Sequence, residues 1–239
     1  MTMPFHPFTA AADERNPPMK KELFDIFDDS WTRIGTATRA ETHRLGLRHR
    51  SFHCWLVRGS GEGALIRFQK RRESKDTYPG LYDITAAGHL SAGEDIRDAV
   101  RELEEELGIS AAFEDLLPLG YSIERSEGIA GGVPFVDHER SEEFALRCSL
   151  PLLEHRLQHE EVAGIYEAPA EGLIGLFEGR LEALSVQGAE WPELAGAGAD
   201  TALSETGLVP VTRKIRSEDF VPRPAGYYAS LFRRLSELP

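Results

Sequence analysis

The pattern of apolar and polar positions predicts that β-strands dominate the first half of the chain. A short alternation from Lys20 to Ile34, around an Asp-Asp-Ser turn, predicts a hairpin. The runs FHCWLVRG and ALIRFQKR predict two strands joined by the turn Gly59–Gly63. The run LYDITAAGHL predicts a buried strand that enters a glycine loop, and later strands are predicted at LGYSIER, EFALRCSL and GIYEAP.

The spacing changes to that of a helix between Asp95 and Leu107. The apolar residues that share one predicted helix face are Ile96, Ala99, Val100, Leu103 and Leu107. We expect Asp95 to cap the start of this helix and Gly108 to end it. Two further helices are predicted at PAEGLIGLFEG and AGYYASLFRRLSEL. Strands with interposed helices predict a mixed sheet that has helices packed against it.

Length and composition narrow the class of protein. The chain has 239 residues and no stretch of eighteen consecutive apolar residues, so we expect no membrane span. Its first eighteen residues lack the basic start and apolar centre of a signal peptide, so they predict a loose tail and a cytoplasmic protein. Cys54 and Cys148 both lie in apolar runs, which favours buried thiols over a disulfide.

The formal net charge of −13 argues against a broad nucleic-acid-binding face. An acidic chain that handles an anionic ligand needs a local basic patch or a metal ion. The basic cluster Lys70, Arg71, Arg72 and Lys75 has two interpretations, a grip on substrate phosphate or a polar strand end.

Four glutamates crowd the segment RELEEELG, Arg101–Gly108. On a helix, Glu102 neighbours both Glu105 and Glu106, and each like-charge pair costs only about 0.2–0.5 kcal/mol on an exposed face. A solvated acidic face is therefore one interpretation. The other is a site for Mg²⁺ or Mn²⁺, since the glycine loop GHLSAGE just upstream lets backbone carbonyls and a phosphate approach the same carboxylates.

The stretch GHLSAGEDIRDAVRELEEELGI resembles the Nudix box, in which a glycine, a glutamate and an Arg-Glu-x-x-Glu-Glu motif recur at fixed spacing. Gly88, Glu94 and Arg101 fit this pattern, together with the glutamates that follow. One residue is missing, because six residues instead of seven separate Glu94 from Arg101, which leaves the role of Glu94 open. The resemblance extends over residues 22–177, towards members of the family related to isopentenyl-diphosphate isomerase.

The resemblance implies an α/β (α+β) fold, a Nudix-like α/β/α sandwich with a mixed β-sheet. We expect four parts along the chain. They are a flexible tail at 1–18, an N-terminal hairpin packed on the core at 19–48, a Nudix core at 49–184, and a C-terminal extension with a terminal helix at 185–239.

The resemblance also implies a metal-dependent hydrolase, with Mg²⁺ or Mn²⁺, that cleaves a diphosphate linkage in a nucleoside diphosphate derivative or a similar small molecule. The implied metal-binding groups are Glu105, Glu106, Glu102, the carbonyl of Ala87, and Glu139 from outside the box, with Asp137 as the second choice for that last carboxylate. Glu102 is a ligand or the general base, and Arg101 orients it. The implied substrate-binding residues are Gly88, His89, Lys70, Arg72 and Lys75.

Two alternatives stay open. An isopentenyl-diphosphate isomerase is one, since His43, His49 and His89 resemble histidines of that enzyme; the position of its proton-transferring cysteine is Ala87 here, which favours hydrolysis. A non-catalytic diphosphate-binding Nudix module is the other, and the retained glutamates argue against it. The expected partner is a small-molecule diphosphate, without nucleic acid or membrane, and the hairpin offers a surface for a homodimer.

Overall fold

The computed structural model describes residues 22–130, 132–195 and 203–238, so the predicted tail at 1–18 lies outside the described residues. The strands are β1 (Leu23–Phe27), β2 (Arg33–Thr38), β3 (Arg48–Arg58), β4 (Leu65–Arg71), β5 (Tyr82–Asp83), β6 (Ala86–His89), β7 (Leu117–Ala130), β8 (Val133–Arg147), β9 (Val162–Pro169), β10 (Leu184–Glu190) and β11 (Val209–Ile215). The α-helices in this part of the chain are α1 (Arg39–Leu45), α2 (Arg101–Leu107), α3 (Ala170–Phe177) and α4 (Tyr227–Ser236).

One mixed sheet connects all of these strands. Its main path runs β11-β10-β9-β4-β3-β1-β2, with β5 beside β4, β6 beside β3, and the β7–β8 ribbon joined through β8. The long strands β3 and β8 run parallel, whereas the other pairs are antiparallel. The predicted mixed sheet is confirmed.

Alternating side chains of β3 divide the core into two layers. One layer includes Phe52, Cys54 and Leu56 of β3 with Leu103 and Leu107 of α2. The other includes Trp55 and Val57 of β3 with Leu173 of α3 and Phe232 of α4. Helices therefore cover both faces of the sheet, and the expected α/β/α sandwich is confirmed.

The predicted N-terminal hairpin is present. Strands β1 and β2 pair antiparallel, and Phe27 pairs with Arg48, which joins the hairpin to β3. The backbone N–H groups of Ser30 and Thr32 donate to the Asp28 carboxylate at 2.8 and 2.9 Å, which fixes the turn.

The single strand predicted at LYDITAAGHL is wrong, because the segment forms two short strands with different partners. β5 pairs with β4, whereas β6 pairs with β3. Between them, the Thr85 hydroxyl donates to the Arg67 carbonyl at 2.6 Å and accepts from the Leu56 N–H at 3.0 Å. Thr85 thus lies where the chain crosses from β4 to β3. The glycine loop that follows β6 therefore begins beside β3.

The helix predicted from Asp95 is also shorter than expected. The α-helix begins at Arg101, after a 3-10 helix at Asp98–Val100, so Asp95 is not its N-cap. The Asp95 carboxylate accepts from the Arg97 N–H at 2.6 Å, and the Asp95 N–H donates to Asp98 at 2.9 Å. These local bonds compete with α-helical ones at this point. The predicted end is confirmed, since Gly108 takes a left-handed conformation with φ of 68°.

The C-terminal part of the chain extends the same sheet through β10 and β11, which the sequence pattern did not predict. The expected division between residues 184 and 185 falls within β10 and stays a prediction. The predicted terminal helix is α4. None of the helices in the described ranges is both long and apolar enough to cross a membrane.

Candidate active site

A cavity of about 440 Å³ lies where helix α2 meets the loop at β6. Glu102, Glu105 and Glu106 of α2 line it, together with Ala87 and Gly88 of β6. The three carboxylates share this wall because positions three and four residues apart lie on one helix face. The volume is in the range of small-molecule binding sites.

Arg101 organises the acidic wall. Its Nη1 donates to Glu102 at 2.7 Å and to Glu105 at 3.0 Å. Its Nε and Nη2 donate to the two carboxylate oxygens of Glu94 at 3.0 and 3.1 Å. Glu94 also accepts from the Ser91 N–H at 2.7 Å, so it anchors the guanidinium to the glycine loop. The Arg101 guanidinium lowers the pKa of Glu94.

Glu106 is the buried member of the acidic group. Its carboxylate accepts from the Ala87 N–H at 3.2 Å and from the Gln69 side-chain amide at 3.4 Å. Burial, followed by repulsion from Glu102, raises the pKa of Glu106 to about 8. Burial also raises the pKa of Glu102 to about 7. Both carboxyl groups therefore hold a proton more readily than usual, and a nearby cation would favour their charged forms.

Gly88 leaves room for the carboxylate of Glu102. A Cβ atom at position 88 would lie 2.2 Å from Cδ and Oε1 of Glu102. The absence of a side chain therefore lets this carboxylate lie directly against the β6 backbone. This close approach explains why position 88 requires glycine.

A second cluster of ligating groups converges from four separate elements. His43 lies in α1, His49 in β3, His89 in β6 and Asp137 in β8. Their potential ligand atoms all lie within 4.8 Å of one another. Nε2 of His49 is 3.3 Å from Oδ1 of Asp137, and Nε2 of His43 is 3.9 Å from the same oxygen. Among the described residues, this is the set that meets the geometric requirement for a metal ion.

The chemistry of this cluster fits a divalent cation. Nε2 of His43 and Nε2 of His89 are buried without a hydrogen-bond partner, a costly state that a cation would relieve. Nε2 of His49 and Oδ1 of Asp137 contact each other at 3.3 Å. Nδ1 of His49 lies 3.0 Å from the Leu47 carbonyl, the kind of contact that orients a metal-binding imidazole. Imidazole nitrogens with a carboxylate suit a transition metal such as Mn²⁺ better than Mg²⁺.

The N-terminal hairpin supports these histidines. The ring of Phe24 is fully buried and stacks on His49 at 5.3 Å and on His89 at 4.7 Å between ring centroids. Arg39 places Nη1 3.3 Å from Nδ1 of His89. Burial lowers the pKa of His43 to about 4 and lowers the pKa of His89 well below its usual value. The neutral imidazole is the form that binds a metal.

Glu139 lies beside the histidine cluster and lines the cavity. Its two carboxylate oxygens are each 3.8 Å from an Nε2 atom, one of His53 and the other of His89. The Ser141 hydroxyl donates to it at 3.2 Å. Burial, followed by the charge of Asp137, raises the pKa of Glu139 to about 7. Glu139 and Asp137, the two carboxylates considered as metal ligands from outside the box, therefore both lie beside the histidine cluster.

The basic cluster divides between two cavities. Lys75 and Arg71 line the cavity beside α2, where Lys75 pairs with Glu161. Lys70 and Arg72 instead line a different cavity, which Arg71 also borders. Their assignment to the substrate stays a prediction without support from this placement.

Sequence reasoning missed several titratable residues that line the site, among them Arg39, His53 and Arg223. His53 belongs to the predicted strand FHCWLVRG, whose alternation indicated burial but not a place beside Glu139. Arg223 lies between Pro222 and Pro224, far from the box, and no local pattern marks it.

The chain is similar to known proteins. A family model described as NUDIX domain matches residues 47–183. A protein of Clostridium acetobutylicum, described as an uncharacterized Nudix hydrolase, is 32% identical over 219 residues that cover 92% of this chain and 99% of the relative. An isopentenyl-diphosphate Delta-isomerase of Mycolicibacterium vanbaalenii is 38% identical over 90 residues, which cover 37% of this chain and 48% of the isomerase.

The fold is also similar to solved structures. The crystal structure of DR0079 from Deinococcus radiodurans has a TM-score of 0.50 and 16% sequence identity, and the match covers 66% of this chain and 90% of that one. At this identity the likeness concerns the fold alone. His43 and Arg223 lie outside the segment that the family model matches.

Proposed function

Because the chain belongs to the Nudix family of hydrolases, we propose that it cleaves a diphosphate linkage in a nucleoside diphosphate derivative or a similar small molecule, with the help of a divalent metal ion. The observation that carries this proposal is the cavity beside α2, where Glu102, Glu105 and Glu106 face the same space as Arg71 and Lys75. A carboxylate cluster that binds a cation and a cationic pair that binds phosphate are the two requirements of this chemistry.

The residues have distinct proposed roles. Glu105, Glu106, the Ala87 carbonyl and Glu139 would hold Mg²⁺ or Mn²⁺, with Glu102 as a further ligand or as the base. When bound, such an ion neutralises phosphate charge and lowers the pKa of water.

The remaining roles belong to the chain itself. Arg101 holds Glu102 against the β6 loop, where Gly88 makes room for it. Glu102 would accept the proton of the attacking water, a role supported by its position in the cavity. Gly88, the backbone of His89 and the Lys75 side chain would contact the phosphates.

The histidine cluster adds a second proposed metal position. His43, His49, His89 and Asp137 would hold a transition metal at the inner end of the site, next to Glu139. The unpartnered buried Nε2 atoms of His43 and His89 support this assignment independently of the acidic helix.

A panel of nucleoside diphosphate derivatives, incubated with Mg²⁺ or Mn²⁺, tests the function. We expect phosphate or monophosphate products, with the oxygen of labelled water incorporated into a product. The Glu105→Gln variant serves as the metal-site control. Binding without any turnover would instead support a non-catalytic module.

The histidine cluster also favours a second candidate, an isomerase of isopentenyl diphosphate, a class to which one relative belongs by name. Two features argue against it. Ala87, which lines the cavity, offers no group for proton exchange. Cys54 is fully buried in the core, and burial raises the pKa of its thiol. Conversion of isopentenyl to dimethylallyl diphosphate without consumption of water would establish the isomerase.

A further inference from the structure

Strand β7 forms a long free edge of the sheet. Among the described strands it pairs with β8 alone, so one of its sides has no neighbouring strand. Its register with β8 shifts once, between Pro118 and Gly120, and is regular from there to residue 130. In this regular part, the N–H and C=O groups of every second residue point away from β8, where a further strand can pair with them.

The two strands that end the main path of the sheet are shorter. β2 has six residues, and β11 has seven, of which the second is Pro210. Short strands and prolines are features that keep sheet edges from pairing with other chains. The regular part of β7, residues 120–130, contains no proline. It is therefore better suited than β2 or β11 to accept a further strand.

The exposed side chains of this stretch are those at odd-numbered positions: Tyr121, Ile123, Arg125, Glu127 and Ile129. They lie on one face of the strand because successive side chains point to opposite faces. Ile123 and Ile129 are 49% and 73% exposed. Both isoleucines lie three positions from Ser126, and the arginine and the glutamate each lie one position from it. The apolar positions are therefore symmetric about Ser126, and the charges on its two sides are opposite.

This arrangement is complementary to itself. When two identical strands pair antiparallel about a two-fold axis, the residues opposite each other lie at equal distances from the axis. With the axis at Ser126, Ile123 lies opposite Ile129 of the second copy, and Arg125 lies opposite Glu127 of the second copy. Each contact occurs twice by symmetry. Apolar pairs and opposite charges directly across from each other are favourable cross-strand pairs.

Neighbouring registers lack this match. With the axis at Arg125 or at Glu127, that residue lies opposite its own counterpart, and like charges directly opposite are destabilising. Within one copy, Nη1 of Arg125 lies 2.5 Å from Oε1 of Glu127, and the two side chains remain 55% and 60% exposed. They are therefore accessible to a second copy, with which they would form a cluster of four alternating charges. Charge complementarity thus favours one register and a second copy of this chain as the partner.

We propose that two copies of the chain associate through β7, antiparallel about a two-fold axis at Ser126, so that their sheets join into one. This surface is distinct from the N-terminal hairpin. Ser126 lines the cavity beside α2. Opposite residues of paired strands lie about 5 Å apart with their side chains on the same face, so Ser126 of the second copy extends the wall of that cavity. Each copy thereby contributes a residue beside the site of the other.

Sedimentation velocity of the full chain at about 1–100 μM tests the association, in about 0.15 M salt to screen the net charge of −13. We expect a reversible equilibrium between monomer and dimer with a dissociation constant on the order of 10 μM, because one pair of strands is a small interface. A chain that stays monomeric at the highest concentration overturns the proposal, whatever lies along β7 instead.

Charge reversal tests the register. Arg125→Glu and Glu127→Arg each place like charges opposite each other, so we expect each variant alone to dimerise at least about tenfold more weakly than the unaltered chain. An equimolar mixture of the two variants should recover the affinity of the unaltered chain, because every charged cross-strand pair is then a glutamate with an arginine. Arg216→Glu, the same change of charge at an exposed residue outside β7, is the control and should leave dimerisation unchanged.

Dimers that Arg125→Glu does not weaken, or a mixture that associates no more tightly than the separate variants, overturn the proposal, since a dimer through the hairpin or another surface gives that pattern. Amide hydrogen exchange of the unaltered chain decides the matter even if a variant does not fold. Residues 121–129 should exchange more slowly at the highest concentration than at the lowest, whereas β2 should not change. Equal exchange of residues 121–129 at both concentrations overturns the proposal. None of these measurements requires turnover, so their outcome is independent of the proposed hydrolysis.

Discussion

Arg101 donates two hydrogen bonds to the carboxylate of Glu94, at 3.0 and 3.1 Å, across a segment of only six residues. The 3-10 helix Asp98–Val100 makes this contact compatible with the shortened segment. Three residues of a 3-10 helix rise about 6 Å, which is the rise of about four residues of an α-helix. The missing residue therefore leaves Arg101 and the glutamates after it in position over the loop.

The exposed carboxylate of Glu105 should be required for activity and dispensable for stability. We expect Glu105→Gln to lower turnover by about 100-fold, since a lost metal ligand removes several kcal/mol of charge stabilisation. Its side chain is 53% exposed, so the melting temperature should change little. Glu104→Gln, on the same helix but outside the cavity, is the control and should keep full activity. Equal effects of the two changes would contradict the assignment.

The histidine cluster should bind one metal ion independently of the acidic helix. We expect the chain, dialysed against Mn²⁺ and then against buffer, to retain about one equivalent by elemental analysis, and His49→Asn to lose it. His159→Asn, at an exposed histidine outside the cluster, is the control. Retention of the ion by His49→Asn would remove the cluster from consideration as a metal site.

Gly88 should be required for full activity, because a Cβ atom at this position would displace the Glu102 carboxylate. We expect Gly88→Ala to lower turnover at least about tenfold, as small displacements of a catalytic group do. Gly63→Ala is the matched control, because a Cβ atom there meets nothing within 4 Å and the backbone angle is an ordinary one. Normal kinetics of Gly88→Ala would show that the position of Glu102 does not matter.

Substitutions of Lys75 and Lys70 should differ in their effect on KM, although both residues belong to one basic cluster. Lys75 lines the cavity with the acidic helix, whereas Lys70 lines another cavity. We expect Lys75→Met to raise KM for a diphosphate substrate by about tenfold, since one charge-assisted hydrogen bond is lost, and Lys70→Met to leave it unchanged. The reverse order in steady-state kinetics would restore Lys70 to the substrate site.

Without metal, the chain should become less stable as pH rises from 7 to 8.5. The pKa of Glu106 is raised from 4.5 to about 8 in the folded chain, so its protonated form contributes stability that is lost as pH rises towards 8. Glu102 and Glu139, each with a pKa raised to about 7, act in the same direction, but most of their effect falls below pH 7. Each group changes the free energy of unfolding by at most about 1.4 kcal/mol per pH unit.

The histidines with lowered pKa make the free energy of unfolding rise with pH, but they do so at lower pH. The pKa of His43 falls from 6.5 to about 4 on folding, so its contribution grows with pH up to 6.5 and is constant above it. Urea titrations in EDTA between pH 7 and 8.5 therefore exclude the histidines with lowered pKa. His49, whose pKa is raised by its contact with Asp137 against the effect of burial, acts in the same direction as the carboxyl groups. Glu106→Gln should flatten the decline, and Mn²⁺ should reduce it in the unaltered chain. Stability that rises with pH in this window would refute the assignment.

Local features of the site could be predicted from the sequence, because neighbouring residues determine them. The shared helix face of Glu102, Glu105 and Glu106 follows from helical spacing, and the end of the helix follows from Gly108. The start of the same helix could not be predicted, since hydrogen bonds of Asp95 with Arg97 and Asp98 compete with the helical pattern.

Contacts between distant segments were beyond the sequence pattern. His49 meets Asp137 because β3 runs parallel to β8 in one particular register, which no local signal specifies. Arg223 reaches the cavity only because bonds to Tyr82 and Tyr228 hold its segment there. Sequence reasoning therefore predicted the acidic helix that lines the cavity and missed the other segments that line it.

The stacking of Phe24 on two histidines has a practical consequence. A fragment trimmed to residues 47–183 would keep the box glutamates but discard Phe24, His43 and Arg223. Such a fragment would retain the box motif. It would lack the Phe24 ring that stacks on His49 and the Arg223 side chain that lines the cavity. Loss of activity in such a fragment would therefore be a consequence of the truncation, which also removes the core residues of α4.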